Sequence, residues 1–308
     1  MAQIGPRDDP ASRPRRFLLP PGGAALNEGK RMGWSRKLSP PLVLRDGRVL
    51  QTLSEAREMI LGLPEGQQRA ALQRDLDLAS QVQRNLLPQK GLRVGCWETS
   101  YHFAPVGAVS GDYCDLIPSD GRLLFLLGDV SGKGVAASML MAQLHALFRS
   151  LTGMSLPLGQ IVTFVNRFFC ECALAGQYAT LVCGLAKPTG EVEIHNAGHC
   201  PAIVVGRGGV SCIEPNGLPL GMFLETEFSA TPVQLEAGDT LFLYTDGLSE
   251  ASNESGEYGV DRIMTLVHQQ AARQPAELID ACLDDVRAFT NGVPSFDDMT
   301  VLALRRCG

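Results

Sequence analysis

Aspartates at the ends of predicted apolar strands are the residues of this chain best suited to chemistry. Asp112 follows a loop that contains two glycines, and Asp129 and Asp246 each follow an apolar run. The pair Asp297 and Asp298 immediately precedes the final apolar run of the chain. A carboxylate buried beside such a strand is costly unless something compensates it, because burial disfavours its charged form.

Cations from the chain itself are scarce near these aspartates, since Lys133 is the one basic residue within the four segments. Four carboxylates brought together with a single lysine would repel one another. A site for divalent metal ions removes this conflict, and hard carboxylate oxygens favour Mg²⁺ or Mn²⁺ over Zn²⁺. The alternative is that each aspartate is a turn or capping residue. All four hold the same position relative to a strand, which favours metal binding.

A pair of divalent ions a few ångströms apart would clamp a phosphoryl oxygen and generate hydroxide near neutral pH. This chemistry predicts hydrolysis of a phosphate ester by direct attack of water, and it requires no protein nucleophile. The sequence contains neither a Gly-x-Ser-x-Gly elbow nor a Cys-x5-Arg phosphate loop.

The segment from Gly128 to Gly134 superficially resembles the phosphate loop of an ATPase, but it lacks the Gly-x4-Gly-Lys-Ser/Thr spacing. Ser131 also stands where a phosphoaspartate-type enzyme needs its second acid. Both classes are therefore disfavoured. The segment still turns from a strand into a helix, whose amino terminus favours anions. Gly132, Lys133 and Gly134 are accordingly candidates for binding a substrate phosphate.

Two histidines four residues apart, His195 and His199, raise the alternative of a zinc site. The intervening Asn-Ala-Gly triplet indicates a turn, so the two rings are not expected to share a helical face. A structural turn with a hydrogen-bonded His199 is favoured. His145 lies in a predicted helix rich in Leu and Met, which indicates a packed residue.

Composition sets the outer limits. The chain has 308 residues, of which 45% are hydrophobic and 19% charged, so it can bury a sizeable core. The chain has a net charge of -6, but residues 1–50 carry ten basic and four acidic residues. The rest of the chain is therefore acidic, which argues against nucleic-acid binding. No apolar run approaches a bilayer span, and no signal peptide is recognisable. With nine scattered cysteines and no Cys-x-x-Cys pair, we expect a cytoplasmic protein with reduced thiols and no membrane partner.

The pattern of apolar residues divides the chain into four segments. Residues 1–37 are a flexible basic arm rich in Pro and Gly, 38–65 a small hairpin-helix segment, 66–90 a linker helix, and 91–308 a larger domain. Strands are predicted over 97–104, 122–128, 178–186, 191–196, 202–205, 240–245 and 299–304, and helices over 135–152, 157–174, 258–271 and 275–289. This order favours an α+β layered fold over regular βαβ alternation.

The linker helix carries a stripe of residues with 4-3-4-3 spacing, which places them on one face. The members of the stripe are Leu72, Leu76, Ala79, Gln83 and Leu86. Such a stripe suits either a two-helix coiled coil or docking onto the next domain. Its period does not choose between the two.

Five motifs occur in order along the chain: Ser110-Gly-Asp-Tyr113, Gly128-Asp-Val-Ser-Gly-Lys-Gly134, Asn196-Ala-Gly-His199, Thr245-Asp-Gly-Leu248 and Asp297-Asp-Met-Thr300. Together they resemble the metal-dependent (PPM-type) serine/threonine phosphatases, and most closely the bacterial SpoIIE/RsbU-type group. The linker helix, which ends in Val-Gln-x-x-Leu-Leu-Pro88, resembles the helix that precedes the phosphatase domain in that group. The resemblance covers roughly residues 75–306.

This resemblance implies an α-β-β-α sandwich, in which two stacked, mainly antiparallel sheets are flanked by helices and a two-ion Mn²⁺ or Mg²⁺ centre lies between them. By motif position, the catalytic metal ligands would be Asp112, Asp129, Asp246 and Asp297, together with the Val130 carbonyl. Asp298, the neighbour of Asp297, stays an alternative ligand. Eukaryotic relatives carry a histidine where this chain has Ser131-Gly-Lys133, so the general acid is unassigned.

The resemblance also implies a function, namely hydrolysis of phosphoserine or phosphothreonine on a regulatory protein. The expected substrate is a STAS-domain anti-anti-sigma factor, whose dephosphorylation controls partner switching with an anti-sigma kinase. The linker helix is expected to mediate a homodimer or to switch activity by redocking. Two alternatives stay open: a non-enzymatic regulator that binds an anti-sigma or phosphoprotein partner, and a small-molecule phosphoesterase.

Overall fold

The computed structural model of the protein describes residues 37–43, 48–52, 54–55, 65–154, 156–173 and 176–308. The predicted arm over residues 1–37 lies outside this part of the chain, except for Lys37. The described residues up to Arg69 belong to one compact unit and those from Ala70 onward to another. In the first unit, β1 (Lys37–Val43) and β2 (Val49–Thr52) pair as the antiparallel hairpin that the sequence predicts.

From residue 65 onward the chain mixes strands and helices. The helices are α1 (Glu65–Leu86), α2 (Val135–Thr152), α3 (Leu158–Cys172), α4 (Asp246–Ser249), α5 (Val260–Gln269) and α6 (Pro275–Thr290). The strands are β3 (Arg93–Val94), β4 (Trp97–Ala104), β5 (Asp112–Ser119), β6 (Arg122–Val130), β7 (Ala179–Ala186), β8 (Glu191–Ala197), β9 (Ala202–Gly206), β10 (Gly209–Ile213), β11 (Thr231–Gln234), β12 (Thr240–Tyr244), β13 (Ser252–Asn253), β14 (Gly256–Glu257) and β15 (Met299–Arg306).

Two antiparallel sheets stack face to face, with strand orders β10-β9-β12-β15-β4-β3 and β11-β8-β7-β6-β5. Their central strands are continuous apolar runs, as expected where both faces of a strand are covered. From β6, Leu123 and Phe125 point into the core between the sheets, together with Leu241 of β12. Leu124 and Leu126 of the same strand point the opposite way, because successive side chains alternate between faces.

Helices cover both outer faces of the sandwich. Helices α2 and α3 pack on the sheet that contains β6, where Leu144 and Val165 join one buried cluster. Helices α5 and α6 pack on the other sheet, where Phe242, Ile263 and Leu278 belong to a separate buried cluster. The layers therefore run α-β-β-α, which confirms the predicted fold class.

Strand β5 is the main element that the sequence analysis missed. Asp115 and Pro118 interrupt its apolar pattern. Pro118 is tolerated because β5 is the edge strand of its sheet. The carboxylate of Asp115 is fully buried, but Arg149 of α2 donates to its two oxygens at 2.6 and 2.8 Å. The compensating arginine follows 34 positions later in the chain.

The carboxyl-terminal half of α1 lies against the domain that follows it. Gln83 is buried, and Leu86 packs against the apolar cluster beneath α2 and α3. Leu78 and Val82 lie on a different face of the helix and are 59% and 62% exposed. Of the two arrangements predicted for the stripe, docking is the one that Gln83 and Leu86 adopt.

All nine cysteines are free thiols in the structure, as expected from their spacing. None of the helices in the described ranges has the length and apolar character needed to cross a membrane.

Candidate functional site

The two sheets deliver aspartates to the same end of the sandwich. Asp112 opens β5 and is paired in register with Asp129 of β6. The predicted strand ends at residue 128, which would leave Asp129 just after it. In the structure β6 extends to Val130, so Asp129 lies inside the strand. In the other sheet, Asp246 follows β12 by two residues and Asp297 precedes β15 by two.

Asp112 joins the two sheets. It is 2% exposed, and its Oδ2 accepts hydrogen bonds from the hydroxyls of Thr245, at 3.0 Å, and Thr300. Burial raises the pKa of Asp112 well above its ordinary range, and the charge of Asp129 raises it further, while the two hydroxyls oppose the shift. Asp112 is therefore a carboxylate held in place, with a high affinity for a proton or a cation.

Mutual repulsion affects the neighbouring aspartates. Burial raises the pKa of Asp129 to about 7, and the charges of Asp246 and Asp297 contribute to this shift. Burial also raises the pKa of Asp246, with Asp297 as the second cause. These shifts are the consequence expected when carboxylates converge without matching cations.

Lys133 contributes a positive charge at the edge of the site. Its Nζ lies 3.0 Å from Oδ2 of Asp297 and donates to the carbonyl of Phe296 at 2.6 Å. The hydrogen bond to Asp297 is the main cause that raises the pKa of Lys133. Lys133, predicted to bind phosphate, is thus paired with an aspartate of the site. Its neighbours Gly132 and Gly134 adopt positive φ just before α2, whose amino terminus has no side-chain cap.

Asp297 and Asp298, which the sequence could not separate, have different surroundings. Oδ1 of Asp298 accepts from the Val106 amide at 2.7 Å. Its Oδ2 accepts from the Ser110 hydroxyl at 2.6 Å and from the Gly111 amide at 3.2 Å. Asp298 therefore anchors the loop between β4 and β5, although its charge also helps to raise the pKa values of Asp112 and Asp129. Asp297 accepts none of these loop hydrogen bonds, and its charge raises the pKa values of Asp129 and Asp246.

Two glycines allow the backbone to approach the acids closely. A Cβ on Gly111 would lie 2.8 Å from the Val130 carbonyl oxygen and 3.2 Å from Oδ1 of Asp129. A Cβ on Gly247 would lie 2.0 Å from the Asp298 carbonyl oxygen. The contacts of 2.8 and 2.0 Å with the two carbonyl oxygens are shorter than side-chain carbons tolerate, so the Gly-Asp and Asp-Gly motifs have a steric basis.

The donor set suits hard divalent cations, although the side chains are not arranged around a common point. Across the described ranges, no three Asp, Glu, His or Cys side chains are grouped closely enough to hold an ion as they stand. Carboxylate and carbonyl oxygens are nevertheless the ligands that Mg²⁺ and Mn²⁺ prefer. Burial and, after it, the neighbouring carboxylates raise the pKa values of Asp112 and Asp129, and a bound cation would favour the charged form of both. The residues fit such an ion in chemistry and charge.

The Asn196-to-His199 motif is a structural turn, as expected. Oδ1 of Asn196 accepts from the His199 amide at 2.8 Å, and its Nδ2 donates to the Cys200 carbonyl at 3.1 Å. Nδ1 of His199 lies 2.8 Å from the hydroxyl of Thr180, and burial lowers the pKa of His199 to about 4. His195 bonds instead to Glu193 and to the Phe228 carbonyl, so the two histidines do not form a zinc pair.

Thr245 and Thr300 are partners of Asp112 that the sequence pattern does not identify. Both belong to the recognised motifs, where each lies within three residues of an aspartate, but only the stacking of the sheets reveals what they bond. The packing expected for His145 is observed, since its ring meets that of Tyr113 edge-on and its Nε2 lies 3.7 Å from Asp115.

Comparison with known proteins gives consistent matches. The family described as Stage II sporulation protein E (SpoIIE) matches residues 119–307. Protein IcfG of Synechocystis sp. is 27% identical over 264 residues, which cover 75% of this chain and 41% of IcfG. Phosphoserine phosphatase RsbU of Bacillus subtilis is 23% identical over 235 residues, which cover 75% of this chain and 70% of RsbU. The chain thus spans less than half the length of IcfG.

Solved structures share the fold. The SiaA-PP2C domain of Pseudomonas aeruginosa has a TM-score of 0.69 at 17% identity, over 79% of this chain and 99% of that one. RsbX, solved in complex with magnesium, has a TM-score of 0.53 at 16% identity, over 68% of this chain and 94% of that one. These likenesses confirm the sandwich architecture. The family match covers more than half of the sequence and all but the first of the five motifs, and the protein therefore belongs to the SpoIIE family.

Proposed function

We propose that the protein is a metal-dependent phosphatase that hydrolyses phosphoserine or phosphothreonine on a regulatory protein. The observation that carries this proposal is the convergence of Asp112, Asp129, Asp246 and Asp297, with Lys133 paired to Asp297 alone. The similarity to RsbU, which is named a phosphoserine phosphatase, supports the substrate class. Direct attack of water on phosphorus fits a site in which no side chain offers itself as a nucleophile.

The proposed cofactors are two Mn²⁺ or Mg²⁺ ions, and the residues that would hold them are Asp112, Asp129, Asp246, Asp297 and the Val130 carbonyl. When bound, such ions supply an activated water and neutralise charge on the phosphoryl oxygens. The similarity in fold to RsbX, whose structure contains magnesium, supports this choice. Asp298 is not included among the proposed ligands, because its oxygens already accept three hydrogen bonds.

The chain's own residues have distinct tasks in this proposal. Thr245 and Thr300 fix the orientation of Asp112 through its Oδ2. Lys133 orients Asp297. The backbone amides at the start of α2, next to Gly134, would bind phosphoryl oxygens, because a helix amino terminus attracts anions. Protonation of the leaving serine oxygen is assigned to solvent.

The proposed substrate is a phosphorylated STAS-domain anti-anti-sigma protein, which would place the enzyme in a partner-switching pathway in the cytoplasm. The motif resemblance and the similarity to RsbU support this assignment. A homodimer through α1 is part of the same proposal, since Leu78 and Val82 present exposed apolar side chains on one face of that helix.

Phosphate release tests the proposal directly. Wild-type protein is assayed on a phosphorylated STAS-domain protein and on p-nitrophenyl phosphate, with Mn²⁺, Mg²⁺ or chelator present. We expect metal-dependent release from the phosphoprotein, and a loss of at least about 100-fold in Asp129→Asn. Asp120→Asn is the matched control, because Asp120 lies on the surface in the β5–β6 turn.

Three results would contradict the proposal. Binding of the phosphoprotein without any release would favour the non-enzymatic regulator. Activity on p-nitrophenyl phosphate alone would favour a small-molecule phosphoesterase. Near-normal turnover in Asp129→Asn would exclude the aspartate site.

A further inference from the structure

Gln83 is a buried polar residue on the otherwise apolar docking face of α1. It is 6% exposed, and its amide bonds twice to the backbone of a single residue, Ser110. Nε2 donates to the Ser110 carbonyl at 2.7 Å, and Oε1 accepts from the Ser110 amide at 2.9 Å. Burying an amide is costly without partners, and here one donor and one acceptor are both satisfied.

This pairing imitates one step of a β-ladder. A primary amide presents a donor and an acceptor side by side, which is the pattern that the backbone of a neighbouring strand would offer. The two opposite bonds also fix which end of the amide is nitrogen, because a flipped amide of Gln83 would oppose the Ser110 carbonyl with an oxygen. A leucine at this stripe position would leave both backbone groups of Ser110 unsatisfied.

Ser110 passes this constraint to the aspartates. The residue is fully buried, and its hydroxyl donates to Oδ2 of Asp298 at 2.6 Å and accepts from the Asp112 amide at 3.0 Å. Ser110 is therefore held to Gln83 through its backbone, and to Asp298 and the Asp112 amide through its hydroxyl. Gly111, which follows it, bonds to Asp298 through its amide and accepts from the Val130 amide at 3.3 Å.

We propose that Gln83 is a positioning residue for the aspartate site: it fixes Ser110, and through Ser110 it sets the placement of Asp112 and Asp298. Gln83 lies on the linker helix, and its side-chain amide bonds to Ser110 and not to the four aspartates proposed to hold metal. Its role would therefore reside in the geometry of the loop over residues 105–111. The catalytic part of this proposal rests on the proposed function, whereas its structural part does not.

The test compares Gln83→Met with Gln81→Met. Methionine preserves the length and helix propensity of glutamine and removes its hydrogen bonds, and Gln81 lies exposed on the same helix. Hydrogen exchange of the segment 105–113, Mn²⁺ affinity by calorimetry, and steady-state kinetics on the phosphoprotein are measured for both. For Gln83→Met we expect about tenfold faster exchange, about tenfold weaker Mn²⁺ binding and about tenfold lower kcat with KM within about twofold. Gln81→Met should match wild type in all three.

A second variant tests the route through Ser110. Ser110→Ala removes the hydroxyl but keeps the backbone bonds to Gln83. If Gln83 acts through Ser110, the double variant loses clearly less Mn²⁺ affinity than the product of the two single losses, because coupled residues are not additive. A loss of Mn²⁺ affinity in the double variant equal to the product of the two single losses would overturn the proposal.

Unchanged exchange and Mn²⁺ affinity in folded Gln83→Met would also overturn it. If that variant does not fold, hydrogen exchange of the Ser110 amide is measured in wild-type protein under native conditions. The proposal requires this amide to exchange as slowly as the amides of β5, and faster exchange would overturn it. Absence of turnover in wild-type protein would refute the proposed function alone, since exchange and Mn²⁺ binding would still report on Gln83.

Discussion

Asp129→Asn should stabilise the metal-free protein, although it removes a residue of the site. The pKa of Asp129 is raised from 3.8 to about 7, first by burial and then by Asp246 and Asp297. Between these two values the unfolded chain has released its proton while the folded protein still binds it, so stability falls as pH rises. Each pKa unit corresponds to about 1.36 kcal/mol.

Above pH 7, the full rise in the pKa of Asp129 therefore corresponds to a loss of about 4 kcal/mol in the free energy of unfolding. Part of this belongs to repulsion that Asp246 and Asp297 share, so we expect a gain of about 2 kcal/mol in Asp129→Asn at pH 7.5 in chelator. Below pH 4 the two proteins should have similar stability. Urea denaturation over pH 4–8 measures the difference.

Asp115→Asn supplies the control of opposite sign. Asp115 is also buried, on the strand that Asp112 opens, but it forms a two-point ion pair with Arg149. Its replacement removes the negative charge opposite the guanidinium and one of the two acceptor oxygens, and should destabilise the protein by about 3 kcal/mol. If Asp129→Asn is no more stable than wild type in chelator at pH 7.5, the repulsion argument for the whole site is wrong.

Three further perturbations follow from the geometry of the site. Thr300→Val removes a hydroxyl that favours the charged form of Asp112, so the pKa of Asp112 should rise further and Mn²⁺ affinity measured by calorimetry at pH 7 should fall about tenfold; unchanged affinity would contradict the assigned role of this bond. Lys133→Met breaks an exposed ion pair and should change the free energy of unfolding by less than about 1 kcal/mol, while phosphate release falls about tenfold because Asp297 loses its orientation; a large loss of stability with unchanged turnover would oppose this. Gly247→Ala places a carbon against the Asp298 carbonyl and should lower both the melting temperature and the turnover, whereas a silent substitution would show that the loop yields freely.

The strands of the central layers were predictable because both of their faces are covered. Runs such as that of β6 are apolar without interruption, and the predicted bounds of β4 agree with the structure. Strand β5 was not predictable by the same criterion, because Asp115 makes it look polar. The ion pair that explains Asp115 depends on α2 packing over β5, which is tertiary information.

The sequence identifies the aspartates of the candidate site by their positions beside strands, but it does not show which hydrogen bonds each of them accepts. Asp297 and Asp298 are adjacent in the chain. Only the folded structure shows that residues of the loop 105–111 donate hydrogen bonds to Asp298. Gln83 is the polar member of an otherwise apolar stripe. Its hydrogen-bond partner, Ser110, lies 27 positions away in the chain and meets it only in the folded protein.

Each sheet of the sandwich contributes two of the four aspartates, so neither sheet possesses the site by itself. An ion bound there would cross-link the layers at one end, and its binding energy would be lost as soon as they part. Unfolding in saturating Mn²⁺ should then be a single event for both layers, and the ion concentration would set the temperature at which they separate.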